Sequence, residues 1–141
     1  MGAEIEKLVL GFVAAAYGER MDVDAMMARV TDDFVYQLNV PRSTVIRGRE
    51  AARAEFERHA AMSTGMIGGS EIRMVVSNDD TVVMERLDVN AVGGTELTFH
   101  VASIFDVHDG LITGWREYWD TGDVARQMGL DVPQILPPPR T

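Results

Sequence analysis

Cysteine is absent from the 141 residues, so no disulfide framework, thiolate nucleophile or cysteine-ligated metal is available. Basic residues are scarce: 13 Lys plus Arg against 22 Asp plus Glu leave a formal net charge of −9, which repels phosphate backbones and anionic lipid surfaces. Neither nucleic acid nor a membrane is expected as a partner, and a neutral or cationic small molecule is the easier ligand. No apolar run approaches the roughly 20 residues that a membrane span needs. The opening Met1-Gly2-Ala3-Glu4-Ile5-Glu6 carries acidic residues where a signal peptide carries basic ones, and the expected location is cytoplasmic.

Several chemistries lack their parts. His59, His100 and His108 fall on a helix, on an outward strand position and in a turn, without the spacing of a metal site; they read as solvated or interface histidines, and neither metal nor cofactor is expected. There is no Gly-x-Ser-x-Gly elbow, and Ser103 has no inward histidine to activate it. Gly65-Met66-Ile67-Gly68-Gly69 lacks the preceding strand and the following lysine or helix of a nucleotide loop, and reads as a helix-to-strand connection.

What is present is 46% hydrophobic sequence, enough for one core in a chain of this length. Residues 1–130 are read as a single α+β domain, and residues 131–141, with Pro133 and Pro137-Pro138-Pro139, as an extended tail. Ile5, Leu8, Val9, Phe12, Val13 and Ala16 recur at three- and four-residue steps and predict an amphipathic helix ending near Gly18. Asp22 can cap a second short helix, residues 34–39 form a short strand, and the alanine-rich stretch from Arg49 to Met62 is a third helix. The pattern then changes to period two. Strand-like runs over 70–77, 81–91, 95–107 and 110–120 are separated by Asn78-Asp79-Asp80, Gly93-Gly94 and His108-Asp109-Gly110, which are hairpin signals. A short helix through Met128 follows. Helices first and long hairpins afterwards imply helices laid on one face of a twisted sheet.

The hairpins allow the faces to be worked out, because opposed residues point the same way. A two-residue Gly93-Gly94 turn sets Arg86 opposite Val101 and Asp88 opposite Phe99. A three-residue His108-Asp109-Gly110 loop pairs Val107 with Leu111 and sets Val101 opposite Glu117. Arg86, Val101 and Glu117 then form one row, and Asp88, Phe99 and Trp119 the next. Leu97, Ser103, Phe105, Thr113 and Trp115 share this apolar, concave face. An arginine and two acids among aromatic rings persist only where the charges satisfy one another. The opposite face would carry Val83, Leu87, Val89, Ala102, Ile104, Ile112 and Tyr118, too much apolar surface to leave in water, and a second subunit is its natural cover.

Glu85-Arg86-Leu87-Asp88-Val89, followed by Gly114-Trp115-Arg116-Glu117-Tyr118-Trp119-Asp120, resembles the limonene-1,2-epoxide hydrolase family, whose pattern is Glu-Arg-apolar-Asp on one strand and Gly-Trp-Arg-Asp-Tyr-Phe-Asp on the last. The likeness extends to Asp33-Phe34-Val35-Tyr36-Gln37, the helix start at Gly48 and the Asp109-Gly110 turn. The resemblance implies a cone-shaped α+β fold, nuclear transport factor 2-like (cystatin-like), with a curved mixed or antiparallel sheet and helices on its concave face. It also implies a cofactor-free homodimer that adds water to a small apolar epoxide in one step, giving a vicinal diol. Carried over, Glu117 is the base, Asp88 the acid and Arg86 the bridge, with Tyr36 and Asn39 holding the water. Phe99, Val101, Trp115 and Trp119 would line the substrate site. Two departures stand out: Glu117 replaces the family's aspartate, and Tyr36 and Asn39 are three residues apart where the family has two, so only a bulge near Gln37-Leu38 turns both inward. A polyketide cyclase of the SnoaL-like kind, a ketosteroid-isomerase-like proton-transfer enzyme and a non-catalytic binding module remain the alternatives.

Overall fold

A computed structural model describes residues 2–62, 69–133 and 135. Helix α1 (Gly2–Ala16) and the short α2 (Val23–Met27) lead into strand β1 (Val30–Gln37), the two-residue β2 (Ile46–Arg47) and helix α3 (Arg49–Met62). Four strands follow, β3 (Ser70–Ser77), β4 (Thr81–Val92), β5 (Thr95–His108) and β6 (Leu111–Tyr118), and then helix α4 (Thr121–Gln127). The triple-proline segment and residues 65–68 of the glycine-rich connection lie outside the described residues. The caps are local: the Asp22 carboxylate accepts from Ala25 N at 3.0 Å to start α2, and Asp120 accepts from Asp123 N at 3.0 Å to start α4.

The six strands form one curved mixed sheet in the order β2-β1-β6-β5-β4-β3. The long hairpins give its antiparallel part, as the period-two pattern predicts. Strand β1 starts four residues earlier than expected and lies parallel to β6, a long-range pairing with no local sequence signal. The alternating burial along β4 and β5 reflects one face turned to the core and one toward the outside. Phe12 of α1 packs edge-on against Trp115 and Phe105, with ring centroids 5.1 and 5.9 Å away, and Phe56 of α3 closes the same aromatic cluster.

The β4–β5 hairpin has the expected register: Arg86 faces Val101 and Asp88 faces Phe99. The β5–β6 hairpin does not. Its turn has two residues, Asp109 and Gly110, at φ 49° and 77°, and joins His108 to Leu111 instead of Val107 to Leu111. That one-residue shift carries Ile112 from the outer face into the core, where it is fully buried. A bulge then leaves Thr113 without an opposed partner, since Val107 pairs with Ile112 and Asp106 with Gly114. The two offsets add to an even number, so Glu117 returns to the inner face, opposite Ser103 instead of Val101. Gly114 fits this bulge because an added Cβ would sit 3.0 Å from an Asp106 carboxylate oxygen, and that oxygen accepts from Arg116 at 2.7 Å.

Candidate active site

Arg86, Asp88 and Glu117 meet on the inner face, all three nearly inaccessible to solvent. Arg86 is the hub. Its Nε donates to Asp88 Oδ1 at 3.2 Å and its Nη2 to Asp88 Oδ2 at 3.0 Å, a two-pronged pairing between neighbouring inward positions of β4. Nη2 also donates to Glu117 Oε2 at 2.6 Å, and Nη1 donates to Ser103 Oγ at 2.9 Å. The guanidinium carbon lies 4.6 Å from the centre of the Tyr17 ring. A single buried ion costs several kcal/mol, and this arginine is compensated on every side.

Glu117 is held by three donors. Trp115 Nε1 donates to Oε2 at 3.1 Å, beside Arg86, and the Tyr17 hydroxyl donates to Oε1 at 3.1 Å. Burial pushes the Glu117 pKa above its ordinary value, and the pull of Arg86 opposes that shift without cancelling it. Burial acts to lower the Arg86 pKa, but the surrounding Tyr17, Glu117 and Asp88 hold it above its ordinary value. Burial, then the Glu117 charge, raise both Tyr17 and Tyr36 well above the usual phenol range, so both stay neutral. Ser70 of β3 donates to Asp88 Oδ1 as well, in a close hydrogen bond to the oxygen that accepts from Arg86 Nε.

The cluster forms part of the wall of a cavity of about 710 Å³, within the roughly 300–1,000 Å³ of small-molecule sites. Asp88 and Glu117 both reach it, together with Phe99, Val101, Trp115, Trp119, Leu38, Phe56, Met21 and Met26. Phe99 and Trp119 meet edge to face at 5.1 Å. Tyr36 also lines the cavity and stacks on Trp115 with centroids 4.8 Å apart. Asn39 is buried but is not among the cavity-lining residues: strand β1 ends at Gln37, and the Asn39 amide donates to the Trp119 carbonyl at 2.8 Å. His59, read as a solvated or interface histidine, stands on the cavity wall with its Nε2 3.0 Å from Glu55 Oε1. Among the described residues no group of three or more histidine or carboxylate side chains is arranged to hold a metal ion.

Sequence reasoning missed Tyr17. Its signal was there: Tyr17 follows the buried Val13 by four residues and so extends the inward stripe of α1 with a polar-tipped aromatic. Ser103 was placed on the correct face but given no part in the charge cluster.

Helices over a curved sheet, with a buried arginine clasping two acids inside an aromatic cavity, place the chain among proteins of the nuclear transport factor 2-like fold. Residues 3–129 match the limonene-1,2-epoxide hydrolase catalytic domain, and the chain belongs to that family. It is 32% identical over 106 residues to the epoxide hydrolase EphG of Mycobacterium tuberculosis, covering 74% of this chain and 67% of that protein. The solved structure of an M. tuberculosis limonene-epoxide-hydrolase-like epoxide hydrolase superposes with a TM-score of 0.77 at 29% identity, covering 89% of this chain and 90% of the other. A putative SnoaL-like polyketide cyclase from Jannaschia sp. CCS1 shares the fold, with a TM-score of 0.73 at 15% identity over 89% of this chain and 94% of the other.

Proposed function

We propose that this chain hydrolyses an apolar epoxide to a vicinal diol in one step, without a covalent enzyme intermediate and without a cofactor. Glu117 takes a proton from water as the water oxygen bonds to an epoxide carbon. The carbon–oxygen bond of the ring breaks, and Asp88 gives its proton to the departing oxygen. Transfer of the proton gained by Glu117 back to Asp88, directly or through solvent, resets the pair. The observation that carries this reading is Arg86, buried and bound at once to Asp88 at 3.0 Å and Glu117 at 2.6 Å on the wall of an aromatic cavity.

An epoxide is a strained but poor electrophile near neutral pH, so opening needs push on water and pull on oxygen together. Two carboxylates around one cation can divide the work of base and acid between them. Tyr36 holds the water from the β1 side in this reading. Asn39 supports the wall by fixing the Trp119 carbonyl. In the same reading a second copy of the chain covers the outer sheet face, where Met74 and Val76 are about half exposed and Tyr118 is 39% exposed. Sedimentation at micromolar concentration should then give twice the chain mass.

Limonene oxide, cyclohexene oxide and styrene oxide in heavy-oxygen water test the activity. Diol carrying one solvent oxygen is expected from the wild type, with none from Asp88→Asn or Glu117→Gln. Unopened epoxides, or turnover unchanged in both variants, would remove the mechanism.

A further inference from the structure

The two oxygens of Glu117 are not equivalent. Oε2 accepts from Arg86 Nη2 at 2.6 Å and from Trp115 Nε1 at 3.1 Å. Oε1 accepts only from the Tyr17 hydroxyl, at 3.1 Å, among the described residues. A carboxylate oxygen has two lone-pair sites. Oε2 therefore has both filled, whereas Oε1 keeps one open beside the cavity that Glu117 and Tyr17 both line.

We infer that Tyr17 is a positioning residue that fixes Oε1 of Glu117 as the oxygen that takes the proton from water; the inference rests on the hydrolytic reading of the same site. Tyr17 acts through Glu117 and is not asked to touch the reacting atoms. Its ring is set by the site itself, with Arg86 over one face and Trp115 edge-on at 6.3 Å. A carboxylate tethered at Oε2 by two donors and at Oε1 by one is held against rotation.

The same contact gives a reason for glutamate at this position. A carboxylate one methylene farther from β6 reaches across to the end of α1, where Tyr17 continues the helical pattern through its N–H to Val13 O at 2.9 Å. An aspartate would fall short of that hydroxyl by about 1 Å or more, a displacement of the size that matters for a reacting group.

The groups that face Glu117 are Arg86 and Asp88 from β4, Tyr17 just past the end of α1 and Tyr36 from β1, with Glu19, Arg20 and His59 on the same cavity wall. Losing the tyrosine donor removes support for the ionised form of the base and leaves the others in place. Tyr17→Phe keeps the ring and deletes only the hydroxyl. With the Glu117 side-chain carboxyl followed by carbon-13 resonance, its titration should move upward by about one pH unit in Tyr17→Phe. The acidic limb of the pH–kcat profile should move with it, and kcat should drop about tenfold or more with little change in KM. In a Glu117→Asp background, where the carboxylate is already withdrawn, adding Tyr17→Phe should change kcat less than twofold. A carboxyl resonance that titrates at the same pH with and without the hydroxyl would overturn the inference, as would an equal kcat loss in both backgrounds. The resonance measurement needs no turnover, so a wild type that opens no epoxide refutes the hydrolytic reading while the link between Tyr17 and Glu117 is still decided.

Discussion

Ser103 of β5 lies directly opposite Glu117 of β6, and its hydroxyl accepts from the Arg86 guanidinium at 2.9 Å. The serine fills the space between the two charged strands where a valine at this row would offer only methyl groups. Ser103 is fully buried, so its removal leaves Arg86 Nη1 without that partner and without water to replace it. Ser103→Ala should lower stability by about 1–3 kcal/mol in urea unfolding. An unchanged midpoint would mean that another group already satisfies Nη1.

Arg86 is the only cation in direct contact with either acid among the described residues. Arg86→Met should leave two buried carboxylates facing each other, cost about 3–5 kcal/mol of stability, and force the pair to take up protons so that the base is lost. Epoxide turnover should drop at least 100-fold, an effect of the size seen when a general base is removed. Substantial turnover in a folded Arg86→Met protein would contradict the bridging role.

The raised pKa of Glu117 has a definite signature in stability. An acid that binds its proton more tightly in the native state gives stability that is fully present below the unfolded value, near 4.5, and is lost as pH rises through the native value. Glutamine is neutral throughout. The melting temperature of Glu117→Gln minus that of the wild type should therefore increase as pH goes from 4 to 7. A difference that is flat or shrinks over that interval would show that Arg86 outweighs burial.

Asn39 and Tyr36 should separate kinetically. The Asn39 amide is committed to the Trp119 carbonyl, so Asn39→Ala should cost about 1 kcal/mol of stability and raise KM more than it lowers kcat. Tyr36→Phe, at a residue on the cavity wall, should lower kcat with a smaller change in KM. Steady-state kinetics on one epoxide decides this, and a pure kcat effect in Asn39→Ala would return the asparagine to the water site.

Much of this site was legible because strand periodicity is short-range information. Gly93-Gly94 fixes the β4–β5 register locally, which places Arg86 and Asp88 on one face without reference to the rest of the chain. The second hairpin was harder, because His108-Asp109-Gly110 is compatible with a three-residue loop and only packing of Ile112 into the core selects the tighter turn. The face of Glu117 came out correctly because the turn offset and the Thr113 bulge add to a shift of two residues, not because either was foreseen. The parallel contact of β1 with β6 and the reach of Tyr17, just past α1, to Glu117 span most of the chain, 100 residues in the second case, and no local pattern encodes such a distance. Tyr36 and Asn39 illustrate the same limit: the end of β1 at Gln37 turns the asparagine toward Trp119.

The paired offsets around Thr113 impose an arithmetic on anyone who would lengthen or shorten that hairpin. One inserted or deleted residue between Val107 and Trp115 reverses which side of the ribbon every later residue occupies, exchanging Trp115 and Glu117 for Arg116 and Tyr118. Changes by two keep the sides but move the row, carrying Glu117 about 7 Å along the strand from Arg86. Only a loop change that leaves Glu117 opposite Ser103 keeps the carboxylate beside Arg86, and a single insertion that slides β6 brings the Arg116 guanidinium to its place.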